Sequence, residues 1–322
     1  MSGDRSISRR DAVKLGVGAG VALTLAQSSA FALSGLTSWT SQTTGLIERA
    51  IPSSGEKLPV VGIGTAINYQ TASTPEEIAP LKDVLKQFPQ LGGKLIDSAP
   101  SYGNAEVVVG TALAELKNRE KYFIATKVSV RGGGDRAAAT AQMEASLRRL
   151  QTDHIDLMQI WNVSNPELLA PLLDEWKAAK RIRYTGITSS SKGQYPQLEA
   201  TMRAHKYDFV QIDLAIDNRS SQERILPLAA ERGMGVLINL PFGRTSVFKK
   251  VAGKSLPDWA KDIDATSFAQ IFLKYIVSNP AVTAVIPGTA TLPFLTDNMG
   301  AAHGRLPDAV LRKRIEGWFD AL

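Results

Sequence analysis

The chain has 322 residues, of which 44% are hydrophobic, no cysteine, and a formal net charge of +6. The hydrophobic share is sufficient for one large domain or two ordinary ones with packed cores. Without cysteine, disulfides, thiolate catalysis and cysteine-based zinc sites are excluded. The three histidines lie far apart and no basic block alternates with aromatic residues, so we expect neither a metal site nor a nucleic-acid partner.

The first 32 residues have the pattern of an export signal. Arg9 and Arg10 precede an apolar stretch of 12 residues from Leu15 to Ala26, and residues 30–32 fit the small-x-small pattern of a cleavage site. A membrane-spanning helix needs about 20 residues, so a cleaved signal is favoured over an uncleaved anchor. The arginine pair resembles twin-arginine signals, which send folded proteins across a bacterial inner membrane. We therefore expect a periplasmic or exported protein that uses the twin-arginine export machinery.

Residues 33–43 are predicted to form a polar linker, followed by a short hairpin whose turn is residues 52–55. The export signal holds four basic and two acidic side chains, so its removal lowers the formal charge from +6 to +4. The mature chain would therefore have a mildly basic, solvated surface.

Eight short β-rich runs follow the hairpin and alternate with amphipathic segments such as residues 137–150. Strand–helix pairs that repeat in this way are typical of a closed parallel barrel rather than an open sheet. We therefore predict an α/β fold for residues 44–322, a (β/α)8 TIM barrel with an N-terminal hairpin. The eight runs are residues 60–65, 94–98, 122–127, 155–161, 183–188, 208–213, 235–240 and 281–287.

Polar or aromatic residues stand at or near the ends of five of these runs: Asp97, Lys127, Trp161, Thr188 and Gln211. In barrels of this kind the chemistry lies at the C-terminal ends of the strands, because those ends meet at one mouth. The sequence therefore predicts that these five side chains share a site.

Asp97, Tyr102 and Lys127 form the most informative set. A carboxylate, a phenol and an ammonium brought to one mouth could make the phenol acidic enough to donate a proton near neutral pH. The alternative is an ordinary ion pair between Asp97 and Lys127 at the barrel rim.

On these motifs the chain resembles the aldo-keto reductases over about residues 44–305. The likeness rests on the D-S-x-x-x-Y-G pattern of residues 97–103, on the strand-end Lys127, and on the I-P-G-T and D-N motifs within residues 286–298. The resemblance implies reduction of aldehydes or ketones to alcohols by NADP(H) or NAD(H), with the dinucleotide extended across the barrel mouth. Tyr102 would be the proton donor to a small carbonyl substrate, with Lys127 and Asp97 paired beside it.

The family normally has a histidine at the end of the fourth strand, where this chain has Trp161. Histidine can both donate and accept a hydrogen bond, whereas indole offers one N–H donor. Loss of one positioned donor or acid–base partner typically lowers the rate by about 10²–10⁴. We therefore expect a slow reductase with a smaller carbonyl pocket. The alternative is a nearly inactive dinucleotide-binding barrel that senses redox state or binds a partner.

The resemblance also implies a nicotinamide subsite. Gln211 matches the residue that holds the nicotinamide carboxamide. Thr188 and Ser189 occupy the place of a Ser-Asn pair, although both could simply cap a turn. Asn239 stands where an aromatic side chain usually stacks on the nicotinamide.

The remaining cofactor positions follow the eighth strand. Gly288 and Thr289 open a helix whose backbone N–H groups suit a phosphate, and Asn298 matches an adenine-side asparagine. Gly288 and Phe294 replace the lysine and arginine that often bind the 2′-phosphate of NADP, so the choice between NADP and NAD stays open. Three basic residues of the loop after the seventh strand could compensate: Arg244, Lys249 and Lys250.

Overall fold

A computed structural model of the protein describes residues 45–130 and 134–322. The predicted export signal, residues 1–32, and the predicted linker, residues 33–43, lie outside the described residues. Among the helices that are described, none is long and apolar enough to cross a membrane.

The N-terminal hairpin is present as predicted. Strands β1 and β2 pair antiparallel, and the turn between them closes where the N–H of Gly55 donates to the carbonyl oxygen of Ile51 at 2.8 Å. Gly55 has φ 77°, a left-handed conformation that glycine adopts without steric cost. The two strands are Glu48–Ala50 (β1) and Lys57–Pro59 (β2).

Eight parallel strands follow, each hydrogen-bonded to the next in chain order, which confirms the (β/α)8 barrel. The first and last strands close the cylinder through the bridges Val61–Val285 and Gly64–Gly288. The strands are Ile63–Gly64 (β3), Leu95–Asp97 (β4), Phe123–Val128 (β5), Ile155–Ile160 (β6), Ile182–Thr188 (β7), Phe209–Asp213 (β8), Gly235–Asn239 (β9) and Ala284–Val285 (β10).

Helices cover the outside of this cylinder, and five of them begin at a side chain that caps the first turn. The capping oxygens of Thr74, Asp135, Asn165, Ser267 and Asp308 each accept from the N–H three residues further on. The helices are Pro75–Gln87 (α1), Ala105–Leu116 (α2), Arg136–Leu150 (α3), Pro166–Ala178 (α4), Tyr195–Ala204 (α5), Ile225–Glu231 (α6), Ser246–Lys250 (α7), Phe268–Val277 (α8), Leu292–Gly300 (α9) and Ala309–Asp320 (α10).

The barrel is filled and covered at its N-terminal end. Every residue of β4, β5, β6 and β8 is buried, as expected for parallel strands that are packed on both faces. Inside the cylinder, Phe123 stacks on Tyr184 with ring centroids 5.7 Å apart, and Phe209 meets Tyr184 edge-on at 5.6 Å. Ile51 and Leu58 of the hairpin belong to the same cluster. This apolar packing leaves the opposite, C-terminal end as the place where polar side chains collect.

Candidate active site

The strand register brings the predicted polar residues to one end of the barrel. Lys127 of β5 lies opposite Gln159 of β6, and Thr188 of β7 lies opposite Gln211 of β8. Asp97 is the last residue of β4. Because the strands run parallel, these side chains converge at the C-terminal mouth, as the sequence predicted.

Asp97 and Lys127 form a buried ion pair beside Tyr102. The ammonium Nζ of Lys127 lies 2.7 Å from Oδ2 of Asp97, and the two side chains are only 1% and 4% exposed. Nζ also donates to the carbonyl oxygen of Ser98 at 2.7 Å and lies 5.0 Å from the centroid of the Tyr102 ring. The three residues that the sequence singled out are therefore in contact.

The charge of Lys127 is held in place by these neighbours. Burial is the largest single influence and acts to lower the pKa of Lys127, but the charge of Asp97, the charge that Tyr102 carries as a phenolate, and hydrogen bonds to both residues together outweigh it. The pKa of Lys127 is therefore raised above its ordinary value, and the side chain stays an ammonium ion at neutral pH.

Tyr102 is half-buried and is positioned by a tight turn. Its N–H donates to the carbonyl oxygen of Ala99 at 3.0 Å, and the next residue, Gly103, has φ 49°. A Cβ at Gly103 would lie 2.5 Å from the carbonyl oxygen of Gln70. Asn104 also links the two loops, because its Nδ2 donates to the carbonyl oxygen of Ala72 at 3.1 Å. The loop that carries Tyr102 is thus packed against the loop that follows β3.

Asp97 also accepts two amide donors that the sequence did not assign to it. Nε2 of Gln211 lies 2.7 Å from Oδ1 of Asp97, and Nε2 of Gln159 lies 3.1 Å from the same oxygen. Gln159 is fully buried, and a Cβ at the facing Gly186 would lie 3.0 Å from its Cγ. Sequence reasoning missed Gln159; the available signal was an amide two residues before Trp161, in a strand whose only other polar residue is Asp156.

The predicted nicotinamide residues also lie at this mouth. The Nε2 donor of Gln211 is engaged by Asp97, while its Oε1 accepts, among the residues that the structure describes, only a long contact of 3.5 Å from Nδ2 of Asn239. Oδ1 of Asn239 is buried and has no hydrogen-bond partner among the described residues. Two amide oxygens are therefore left to accept from a ligand.

Thr188 and Ser189 form hydrogen bonds to the loops that follow β6 and β7. Oγ1 of Thr188 accepts from the N–H of Asn162 at 3.1 Å, and Oγ of Ser189 donates to Oε1 of Gln194 at 2.9 Å. Both residues are thus at the mouth, and Ser189 also accepts from the N–H of Ser191 at 3.2 Å within its own turn.

The residues after the last strand form a second group at the mouth. Oγ1 of Thr289 donates to the carbonyl oxygen of Pro287 at 3.1 Å, and Nδ2 of Asn298 donates to Oγ1 of Thr289 at 2.9 Å. Gly288 bridges to Gly64 of the first barrel strand. These contacts place the predicted phosphate and adenine positions side by side.

Three basic residues could replace the 2′-phosphate ligands that are absent at Gly288 and Phe294, but one of them, Lys250, is engaged by other groups. Nζ of Lys250 donates to the carbonyl oxygen of Phe319 at 3.3 Å and lies 4.8 Å from that ring, so it is engaged with helix α10. Arg244 and Lys249 are left as candidates for a 2′-phosphate.

Trp161 stands at the end of β6, where the sequence predicted it. It begins a single turn of 3₁₀ helix, residues Trp161–Val163, and its half-buried indole lines a cavity that also borders Lys127. In the described parts of the chain, no three histidine, aspartate or glutamate side chains are grouped so as to hold a metal ion.

Comparison with known proteins finds relatives of this chain among the reductases. The chain is 30% identical to the methylglyoxal reductase YeaE of Escherichia coli over 275 residues, 82% of this chain and 93% of that protein. It is 29% identical to the NADH-specific methylglyoxal reductase of E. coli over 184 residues, 49% of this chain and 55% of that protein. An aldo-keto reductase of Klebsiella pneumoniae in complex with NADPH superposes with a TM-score of 0.71 at 19% identity, over 85% of this chain and 96% of that one.

The family model described as "Aldo/keto reductase family" matches residues 60–316, and the chain therefore belongs to the aldo/keto reductase family.

Proposed function

We propose that the protein is an NAD(P)H-dependent oxidoreductase that reduces aldehydes or ketones to alcohols, with Tyr102 as the proton donor. The observation that carries this proposal is the buried pair of Lys127 and Asp97, 2.7 Å apart, with the ammonium 5.0 Å from the Tyr102 ring. A cation held this close to a phenol favours the phenolate that proton donation leaves behind.

The residues of the chain account for the proton side of the reaction. Lys127 stabilises the negative charge that forms on Tyr102, Asp97 holds Lys127 in place, and two amide donors, Gln159 and Gln211, hold Asp97. When bound, the dinucleotide would supply a hydride to the carbonyl carbon. The carbonyl π bond then breaks as a C–H bond and an O–H bond form, and a proton from solvent restores Tyr102.

The mouth fits a nicotinamide dinucleotide. The buried Oδ1 of Asn239 and the weakly engaged Oε1 of Gln211 are suited to accept from the amide N–H groups of a carboxamide. Backbone N–H groups near Gly288 and the side chain of Asn298 would hold the far end. One relative is named an NADH-specific reductase and a different structural neighbour was solved with NADPH, so we propose NADP(H) or NAD(H) without choosing between them.

The proton-donor assignment is tested by Tyr102→Phe, which keeps the ring and removes the hydroxyl. We expect kcat on a panel of small aldehydes to fall by about 10²–10⁴. Tyr207→Phe is the matched control, because the Tyr207 hydroxyl is buried and makes no hydrogen bond within residues 45–130 and 134–322. An unchanged rate in Tyr102→Phe would show that another group donates the proton.

Trp161 favours a second candidate function, a nearly inactive dinucleotide-binding barrel that senses redox state or binds a partner. Indole cannot accept a hydrogen bond, so one acid–base partner of the family is missing. Purified protein that carries bound nucleotide but turns over no carbonyl would support this second function. A large rate gain in Trp161→His would show that a working site was weakened at this one position.

We further propose that the protein is exported to the periplasm by the twin-arginine machinery. The support is the pattern of residues 1–32, with its arginine pair, short apolar stretch and small-x-small motif.

A further inference from the structure

A buried carboxylate joins strand β5 to two of the helices that cover the barrel. Glu106 stands in the first turn of α2, and its side chain is only 1% exposed. Its Oε1 accepts from Oγ1 of Thr126 on β5 at 2.6 Å. Nε and Nη2 of Arg149, near the end of α3, each lie 2.7 Å from Oε2 of Glu106.

Thr126 places one end of this link next to the cation of the proposed site. It directly precedes Lys127 on β5. Successive side chains of a strand point to opposite faces, so Lys127 points into the mouth towards Asp97 while Thr126 points outwards to α2. A hydrogen bond on the outside of the barrel therefore holds the backbone that carries the ammonium.

The other end of the link lies close to the phenol. The carbonyl oxygen of Tyr102 accepts from the N–H of Ala105, the first residue of α2, at 2.9 Å. Glu106 is the next residue, so the turn that carries Tyr102 runs directly into the turn of helix that carries Glu106. The hydrogen bond from Thr126 to Glu106 thus connects the segment that holds the phenol to the strand that holds the ammonium.

Helix α2 is itself held against α3. Gly110 lies one helical turn after Glu106, and a Cβ at Gly110 would lie 2.2 Å from the carbonyl oxygen of Arg149. Oγ of Ser146 on α3 also donates to Oε2 of Glu106, at 3.2 Å. A buried ion pair adds little net stability, because the loss of hydration offsets much of the attraction between its charges. Orientation of α2 is what these contacts determine.

We propose that Glu106 is a positioning residue for the proposed reduction, and that through Thr126 it holds the Lys127 ammonium at its distance from the Tyr102 ring. The inference rests on the proposed function, because it concerns the pair that would transfer the proton. Neither Glu106 nor Thr126 lines the cavity beside Lys127, so both act through Tyr102 and Lys127 rather than on the substrate.

Thr126 is the residue to replace, because a substitution of Glu106 would leave Arg149 without its partner and destabilise the fold. Thr126→Val keeps the shape of the side chain and the ion pair but removes the hydroxyl. We expect kcat on small aldehydes to fall about tenfold, while KM and the dissociation constant for NADPH stay within about twofold of the wild type. Thr126→Ser retains the hydroxyl and should retain kcat.

Thr185→Val is the matched control. Thr185 is also a buried threonine of a barrel strand, and its Oγ1 donates at 3.3 Å to Oδ2 of Asp208, a carboxylate paired with Lys177. Urea unfolding should show a similar loss of stability in the two valine variants, but Thr185→Val should keep the wild-type kcat. Equal losses of kcat in both would overturn the positioning role.

A double substitution tests the route of the effect. The phenol is absent in Tyr102→Phe, so adding Thr126→Val to it should lower the remaining rate by less than about twofold. A further loss of about tenfold would mean that Thr126 acts independently of Tyr102, which contradicts the proposal.

The inference and the proposed function can fail separately. A wild-type kcat in Thr126→Val, combined with a large loss in Tyr102→Phe, would leave the proton donor standing and overturn the role of Glu106. If the wild type turns over no aldehyde, or if Tyr102→Phe keeps the full rate, the proposed function is overturned.

An NMR measurement then decides the inference without turnover. The Cζ signal of Tyr102 in protein that contains isotope-labelled tyrosine is assigned by its loss in Tyr102→Phe. It should shift in Thr126→Val and keep its position in Thr126→Ser and Thr185→Val. A signal that does not shift in Thr126→Val would show that the hydrogen bond to Glu106 does not position the phenol.

Discussion

At the scale of single residues, Asp97 connects most of the site. One of its oxygens accepts from Lys127, and the other accepts from Gln159 and Gln211. A buried carboxylate needs such donors. Without them, the loss of its hydration would destabilise the folded protein by far more than the net free energy that the hydrogen bonds contribute. The orientation of Lys127 towards Tyr102 therefore depends on amide groups from two other strands.

Gln159→Leu should separate activity from stability. The substitution removes one donor to Asp97, but it also removes Oε1 of Gln159, a buried acceptor without a partner among the described residues. We expect the free energy of unfolding to change by no more than about 1 kcal/mol, and kcat to fall about tenfold because the ion pair is held less firmly. Steady-state kinetics and urea unfolding measure the two effects, and Met158→Leu on the same strand serves as control. Equal kcat in Gln159→Leu and wild type would show that Gln211 alone is sufficient.

Lys274 of α8 predicts a pH dependence of stability. Its ammonium is buried and donates to the carbonyl oxygens of His303 and Arg305. Burial is the largest influence and lowers the pKa of Lys274 to about 8, whereas the unfolded value is about 10.4. Between these values the unfolded chain binds more protons than the folded one, so stability rises with pH in this window.

Lys274→Met provides the reference for this effect. From pH 7.5 to 9.5, the free energy of unfolding of the wild type should rise relative to the variant, by on the order of 1 kcal/mol after allowance for solvent screening. Urea unfolding at the two pH values tests it. A constant difference between the two proteins would mean that Lys274 titrates near its unfolded value.

At the scale of elements, the turn between β4 and α2 sets the position of Tyr102. Gly103→Ala places a Cβ 2.5 Å from the carbonyl oxygen of Gln70, in a backbone conformation with φ 49°. We expect a loss of about 1–3 kcal/mol in stability and a lower kcat, because the loop must move and Tyr102 moves with it.

Gly317→Ala is the matched control for this substitution. Gly317 lies inside helix α10, and an added Cβ there meets no atom of the described residues within 4 Å. Alanine should therefore stabilise the helix by about 0.5–1 kcal/mol without lowering kcat. Thermal unfolding and steady-state kinetics of both variants test this contrast. Equal losses in kcat would show that the loss of activity is not specific to the turn that carries Tyr102.

The strands themselves were largely predictable from the sequence, because buried parallel strands form short apolar runs between helical segments. The first and last runs were predicted too long. The strand within residues 60–65 is only Ile63–Gly64, and the strand within residues 281–287 is only Ala284–Val285. The barrel is closed between them by isolated bridges rather than by a continuous ladder. The amide contacts to Asp97 could not be predicted, because they depend on which side chains meet across the inside of the cylinder. No local pattern in the sequence encodes which side chains meet there.

At the scale of the whole molecule, the barrel is closed by its first and last strands and packed at its N-terminal end by the hairpin. Ile51 and Leu58 of the hairpin pack in one cluster with Phe123 and Phe209. Substrate and dinucleotide would therefore enter from the C-terminal mouth. A protein assembled in this way would hold its cofactor only once it is folded, which agrees with a pathway that exports folded proteins.

The proposed export route predicts the effect of replacing both Arg9 and Arg10 with lysine. The charge of the signal stays the same, but the arginine pair is lost, so we expect the chain to remain in the cytoplasm with residues 1–32 attached. Cell fractionation and intact mass of the recovered protein measure the outcome, and Lys14→Arg is the control that changes a basic residue outside the pair. Export at the wild-type level by the double variant would mean that the chain uses a route that does not read the pair. In that case the cofactor would have to be acquired after export.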